Sequence, residues 1–447
     1  MKIHLISLGC DKNLVDAEVM SGLLVKAGHQ MTDDDRQADV IIVNTCCFIG
    51  DAKEESIGAI LEAAKRKEDA KARALIVTGC LAERYRADIE AELPEVDAIV
   101  GTTAYPRIAE VIEAAAAKHE GPVVRQESID APIEELKERI VSTPGHYAYL
   151  KIAEGCGKHC TYCIIPKVRG NYRSRRMEEL TAEAGKLAEG GVKELILVAQ
   201  ETTLYGVDLY GKKMLPELLR RLSSIEGLVW IRILYCYPEE ITEELIAEIR
   251  DNDKVCKYLD IPIQHAADGV LKRMGRRTTH DELVRTVKKL REEIQGITLR
   301  TTLISGFPGE TEEDHRLLCD FIKEMRFDRL GVFEYSKEEG TPAAKMKGQI
   351  KKAVKKARRN ELMEIQQRIS AQRMEALVGQ ELPVMIEGRL PEENILVGRT
   401  EMDAPDVDGL IFLESGADLL SGTMVTAVVT AAAEYDLYGR ICDESAE

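Results

Sequence analysis

The chain has 447 residues, a formal net charge of −17 and 11 cysteines. Its length sets an expectation of two to four domains, each with its own core. No apolar run approaches the roughly 20 residues of a membrane span, and no small-residue cleavage site follows the first apolar stretch, which excludes a membrane-spanning or signal-led reading. The expectation is a soluble cytoplasmic protein whose cysteines are reduced thiols, metal ligands or buried hydrophobes rather than a disulfide framework.

From residue 1 to about 118, short β-rich runs at 3–8, 40–43, 74–77 and 98–100 alternate with helical stretches such as "LVDAEVMSGLLVKAG" and "AKEESIGAILEAAKRKEDA". Alternating βα units predict a parallel sheet with helices on its faces. Three of the runs close on a thiol: "KIHLISLGC" at Cys10, "ADVIIVNTC" at Cys46 and "ALIVTGC" at Cys80. Ligands of open parallel sheets bind outside the carboxyl ends of the strands, so the three thiols are expected on one edge. Residues 119–143 read as a connector.

A second βα series follows, with strand candidates "YAYLKIAEG", "ELILVAQE", "VWIRILYCY", "YLDIPIQH", "TLRTTLISG" and "RLGVFEYS". Six parallel strands with intervening helices predict a barrel or partial barrel whose function sits at the carboxyl-end loops. Thr311 and Asp314 of "GFPGETEED" are spaced as a helix capping box. The stretch 345–373 carries 10 basic and 2 acidic residues and reads as a helix ending near Gly379, with an exposed basic face. After it, "ELPVMIEG", "ILVGRT", "GLIFLE" and "TMVTAVVTAAAEYDLYGRI" predict a small all-β barrel.

The sharpest signal is "EGCGKHCTYCIIPKVRGNYRSRR", in which Cys156, Cys160 and Cys163 form C-x3-C-x2-C directly after the first strand of the second series. Soft thiolates select iron–sulfur clusters or zinc. No fourth cysteine or paired histidine stands at conventional zinc spacing, although His159 lies between the first two. A three-thiolate cubane leaves one iron open for a ligand; a zinc site or buried unligated thiols are the other readings. The basic run "KVRGNYRSRR" reads as a solvated loop or as a guide for acidic groups. Cys236, Cys256, Cys319 and Cys442 lack spacing partners and read as small hydrophobes.

The three-cysteine motif, with Tyr162 before its last cysteine, resembles the radical S-adenosylmethionine (SAM) superfamily, and the six βα units match its partial barrel. The resemblance implies that the open iron chelates the amino and carboxylate groups of SAM and that one electron cleaves the sulfonium to a deoxyadenosyl radical. The whole order, a βα domain (1–118), the connector (119–143), a radical SAM domain (144–374) and a terminal TRAM barrel (375–442), resembles the methylthiotransferases. That resemblance implies that Cys10, Cys46 and Cys80 hold a second 4Fe–4S cluster. Cys46 matches the family position, whereas the adjacent Cys47 and Asp11 depart from the usual Gly and Pro. No catalytic residue beyond the cluster ligands is implied. Tyr162, Gln200, Thr302 and Gly306 are the candidate SAM contacts; a satisfied loop amide and an ordinary strand turn are the structural readings of Gln200 and of the turn carrying Gly306. His265 reads equally as a cofactor or substrate contact and as hydrogen-bonded structure.

"SLGCDKNLVDAE", Gln264-His265, Thr302 and "GRTEMDAPDVDG" resemble the RimO-like branch, which implies methylthiolation of an aspartate β-carbon in small-subunit ribosomal protein S-twelve. The alternatives are a MiaB-like tRNA adenosine methylthiotransferase and a non-catalytic iron–sulfur electron-transfer protein. The implied partners are S-twelve, free or in the small subunit, a low-potential electron donor and a sulfur source, with no membrane partner and a monomeric chain. Charge points the same way independently. Residues 376–447 hold 15 acidic and 3 basic side chains, a net of −12, a poor match to phosphates and a good one to a basic protein. Asp403, Asp406 and Asp408 are the expected recruiting surface.

Overall fold

Val40–Thr45 and Ala74–Gly79 are buried at every position, as continuous apolar runs are when both faces of a parallel sheet are covered. In the computed structural model, which describes residues 1–70, 72–117, 121–135, 138–390 and 394–442, they form the centre of a six-stranded parallel sheet. Its order is Gln30–Met31, Lys2–Ser7, Val40–Thr45, Ala74–Gly79, Ala98–Val100 and Val123–Arg125. Strand alternation sends Val40 and Ile42 to one face, against Met20 and Leu24 of helix Asp11–Lys26 and Ile108 and Ile112 of helix Ile108–Ala116. Ile41 and Val43 point the other way, onto Ile60 and Ala63 of helix Gly50–Ala70.

The two edge strands, Gln30–Met31 and Val123–Arg125, are absent from the sequence reading. Val123–Arg125 lies inside the expected connector, pairing parallel with Ala98–Val100. Residues 119, 120, 136 and 137 of that connector lie outside the described residues.

The second sheet has the expected six strands, all parallel, in the order Arg329–Glu334, Thr298–Ser305, Val255–Gln264, Trp230–Ile233, Glu194–Val198, Tyr147–Lys151. Its helices pack outside, around a core that includes Leu180, Leu219, Ile249, Leu290 and Leu318. The capping box starts helix Glu312–Met325, with Asp314 N–H donating to Thr311 Oγ1 at 3.1 Å and Thr311 N–H to Asp314 Oδ2 at 2.9 Å. The basic helix spans Lys352–Glu375. Beyond it Glu381–Arg389, Ile395–Thr400, Ile411–Glu414, Met424–Ala432 and Leu437–Ile441 close into a five-stranded barrel. Among the described residues no helix is long and apolar enough to cross a membrane.

The inner face of the six-stranded sheet is filled from both ends. Tyr147, Tyr149, Val198, Trp230 and Tyr258 pack against Val15 of the N-terminal helix and against Met385 and Ala404 of the terminal barrel. This corrects the reading of the terminal acids. Asp403 accepts hydrogen bonds from Arg329 Nε at 3.0 Å and Thr400 Oγ1 at 2.8 Å; Asp406 accepts from Tyr147 Oη at 3.0 Å; Asp408 accepts from Tyr258 Oη at 2.7 Å and faces Arg300 Nε at 3.4 Å. Asp403 and Asp408 are turned into the junction and knit the barrel to the sheet, whereas Asp406 stays exposed while hydrogen-bonded to Tyr147, so the three do not form one free recruiting face. Beside them Glu194 takes Arg232 Nε at 2.7 Å and Arg399 Nη2 at 2.5 Å, all three buried.

Truncating one partner of a buried ion pair strands the other charge, at about 3–5 kcal/mol. Asp403→Ala is therefore expected to lower the melting temperature markedly. Asp418→Ala, at an exposed position of the same barrel, is expected to change stability by no more than about 0.5 kcal/mol. Equal melting temperatures for the two variants would refute the buried junction between barrel and sheet.

Candidate active site

The carboxyl edge of the first sheet presents the N-terminal thiols as expected. Cys10 precedes helix Asp11–Lys26, Cys46 follows Val40–Thr45, and Cys80 opens helix Cys80–Arg84, after three adjacent strands. Gly-Cys recurs at 9–10, 79–80 and 155–156, each glycine at positive φ. The reason is close approach. A Cβ on Gly9 would lie 2.6 Å from Cys46 Cβ, and one on Gly155 would lie 2.1 Å from Asn171 O. Of the adjacent thiols, Cys47 is fully buried in the apolar face and donates to Cys80 O at 3.2 Å, whereas Cys46 Sγ faces Gly9. Burial raises the Cys46 thiol and pushes Cys80 up to about 12 against the opposing charge of Arg169.

The barrel thiols lie in the loop after Ala153–Glu154. Backbone contacts pin that loop: Cys156 N–H donates to Gly170 O at 3.1 Å, Cys163 N–H to Cys160 O at 3.0 Å and Thr161 N–H to Met274 O at 2.8 Å. Burial pushes Cys156 up to about 11 and raises Cys163, so loading metal here releases protons. His159 is exposed while Cys156 and Cys160 are buried, which removes it as the fourth ligand of a zinc site. Among the described residues the one His/Cys/Asp/Glu group with all ligand atoms within 4.8 Å is His315, Cys319 and Glu361. Neither cysteine trio is gathered that tightly, so neither holds its thiols at the spacing of a single zinc ion.

Unused polar atoms gather beside the barrel tripod. Gln200 Oε1, Glu201 Oε2 and two guanidinium nitrogens of Arg276 are buried without a partner. Gln200 Nε2 donates to Glu154 Oε1 at 2.7 Å, and Arg276 stacks over Tyr237, whose hydroxyl is 3.9 Å from Cys160 Sγ. Such atoms fit the amino, carboxylate and ribose groups of SAM, since unpaired buried polar groups are otherwise costly. Tyr162 meets Phe307 edge to face at 6.4 Å. Thr302 is half-buried on the strand face it shares with Arg300. The Gly306 N–H is already donated to Glu310 Oε2 at 2.7 Å. His265 is buried with no hydrogen bond to Nε2, which lies 3.8 Å from Glu310 Oε2, and desolvation lowers it to about 3. Cys236, Cys256 and Cys319 are buried as expected, and Cys442 is partly so.

The seam between the two sheets carries residues missing from the sequence reading. Asp16 and Lys151 form a buried ion pair; Glu154 lies 2.9 Å from Lys151 Nζ; Arg169 Nη1 reaches Asp16 at 2.7 Å and Glu154 at 3.0 Å. Burial alone would raise the Glu154 carboxyl, but Lys151 and Arg169 outweigh it and hold it well below the carboxylate range. Arg169 also donates to Cys80 Sγ at 3.3 Å and to Asn13 Oδ1. Nearby, Lys12 sits 3.4 Å over the Tyr235 ring, and Tyr235 Oη donates to Asp11 at 3.1 Å. The first turn of the N-terminal helix thus enters the mouth of the barrel sheet.

Fold and tripod together define a radical SAM protein: residues 150–322 match the Radical SAM superfamily, residues 2–101 the family described as Uncharacterized protein family UPF0004, and residues 378–442 the TRAM domain. The chain is similar to a ribosomal protein uS12 methylthiotransferase RimO of Lachnoclostridium phytofermentans, at 61% identity over 98% of this chain and 99% of the relative. Proteins of the same name from Acetivibrio thermocellus (51%; 100% and 99% covered) and Clostridioides difficile (48%; 100% and 100%) are also similar. In fold alone it is similar to the radical SAM methyltransferase TsrM of Kitasatospora setae, with a TM-score of 0.56 at 16% identity, covering 76% of each chain. The chain belongs to the RimO family of ribosomal protein methylthiotransferases.

Glu201 offers a pH test. Burial lifts its carboxyl from 4.5 to about 7, so the fold favours the protonated form. The associated stability is complete below about pH 4.5 and is lost as pH rises through 7. In SAM-free protein, Glu201→Gln is expected to raise the melting temperature at pH 8 and leave it unchanged at pH 4.5. An equal shift at both values would contradict the assignment.

Proposed function

We propose that this chain places a methylthio group on the β-carbon of one aspartate of ribosomal protein S-twelve. Methylthio transfer to that ribosomal protein is the activity of the family to which the chain belongs. The observation that supports the methylthio chemistry is the pair of thiol tripods, each at the carboxyl edge of a parallel sheet and joined by one buried ion network, and the likeness to the uS12 methylthiotransferases supports the choice of target.

SAM and a 4Fe–4S cluster belong to the barrel, with Cys156, Cys160 and Cys163 as the proposed ligands. Cys10, Cys46 and Cys80 would hold a second 4Fe–4S cluster that takes part in sulfur insertion. When bound, the barrel cluster and SAM would supply one-electron radical chemistry for removing a hydrogen from the substrate. The chain's own residues bind and exclude water. Gln200, Glu201 and Arg276 would offer their unused atoms to SAM, with Tyr162 and Thr302 as further candidate contacts. Lys12, Asp11 and Tyr235 close the seam between the tripods. One SAM would supply the methyl group and another the radical chemistry, with a low-potential donor and a sulfur source as the further partners. The reading is of a cytoplasmic monomer in which 1–118 carries the auxiliary cluster, 144–374 the radical chemistry and 375–442 the TRAM barrel.

Two cubanes predict about eight irons per chain after anaerobic reconstitution. Replacing Cys156, Cys160 and Cys163 together by Ala is expected to leave about half and abolish deoxyadenosine. Replacing the N-terminal trio is expected to retain deoxyadenosine formation and abolish methylthiolated S-twelve by mass spectrometry. Unchanged iron in either triple variant would remove that tripod, and a modified tRNA nucleoside in place of modified S-twelve would overturn the substrate.

A further inference from the structure

Arg169 stands six residues beyond Cys163, in the segment that supplies the barrel tripod, yet its guanidinium crosses the seam to the N-terminal thiols. It is 2% exposed. Nε donates to Cys80 Sγ at 3.3 Å, Nη2 to Asn13 Oδ1, and Nη1 to Asp16 Oδ2 at 2.7 Å and Glu154 Oε2 at 3.0 Å. Asn13 is itself fixed: its Nδ2 donates to Leu8 O at 3.0 Å and Thr45 O at 2.9 Å, the carbonyls just upstream of Cys10 and Cys46. One guanidinium is therefore referenced to all three N-terminal cysteine segments. At its other end, Glu154 lies two residues before Cys156 and accepts from Gln200 Nε2 at 2.7 Å and the Gly155 N–H at 3.3 Å.

We infer that Arg169 is a positioning residue that sets the reduction potential of the N-terminal site through its N–H···S bond to Cys80, a reading that rests on the second cluster proposed above. The four seam charges, Asp16, Lys151, Glu154 and Arg169, sum to zero, so the effect on Cys80 comes from the nearness of the guanidinium N–H and not from an excess of positive charge. Reduction adds one electron and hence negative charge at the cluster sulfurs. A cation and an N–H donor at one of those sulfurs stabilise the reduced form and raise the potential. Asp16 draws on the same guanidinium and opposes the effect.

The test is a redox titration of the holoenzyme followed by EPR, with full-length Cys156/Cys160/Cys163→Ala protein assigning the N-terminal signal. Arg169→Gln is expected to lower the N-terminal potential so that the oxidised-to-reduced ratio at the parent midpoint rises at least tenfold, about 59 mV for one electron. Asp16→Asn is expected to shift it the opposite way, and Arg169→Lys to recover part of the loss. The barrel cluster is expected to shift less in each variant. An unchanged N-terminal potential, or shifts of the same sign in the Gln and Asn variants, overturns the inference, because a merely structural seam has no reason to respond with opposite signs. If Arg169→Gln loses the N-terminal irons, Asp16→Asn decides. A parent protein with only four irons defeats the two-cluster reading itself, and a parent with eight irons and no shift defeats only the role of Arg169.

Discussion

Asp16, Lys151, Glu154 and Arg169 are buried together between the two sheets, two carboxylates against two cations with nearly every hydrogen-bonding group used. Such a set contributes little net stability, because the cost of taking four charges out of water cancels most of their attraction. What it does impose is register. Each carboxylate is fully compensated only when the N-terminal helix sits at one position and angle against the barrel mouth, and any slippage leaves a charge unpaired. Arg139 repeats the device alongside, donating to Glu18 at 2.9 Å and Glu183 at 2.7 Å and so tying the end of the connector to both modules. The thiols inherit that register, since Cys10 begins the same helix and Cys156 lies two residues from Glu154.

The terminal barrel works by the same physics at the opposite end of the sheet. Arg232, Glu194, Arg399, Asp403 and Arg329 form paired charges around a floor of Tyr147, Tyr258 and Met385. Its acidity therefore divides into two populations: carboxylates consumed at the junction, and others such as Glu414 and Asp418 left in solvent. Net charge alone cannot separate them. A field that steers a basic ribosomal protein has to come from the second population.

The parallel βα pattern, the six barrel strands, the thiols at strand ends and the capping box at Thr311 were all legible, because each is written in local periodicity or spacing. The seam was not. Nothing local marks Asp16 and Glu18 of the first helix as buried, and their partners Arg169 and Arg139 lie more than a hundred residues away. The run "KVRGNYRSRR" mixes both outcomes, with Arg169 buried and Lys167 exposed, and a charge run carries no mark of which member turns inward. The acids of "GRTEMDAPDVDG" failed for the same reason. One local signal was present and unused: the thrice-repeated Gly-Cys, whose left-handed glycines mark where backbone and thiol approach too closely for any side chain.

The central claim is that the buried seam holds both tripods in one fixed arrangement. EPR of the fully reduced holoenzyme, compared with the two single-tripod variants, tests it most directly. The account predicts spin–spin splitting and faster relaxation in the holoenzyme that neither variant shows. A holoenzyme spectrum equal to the sum of the two variant spectra would contradict it.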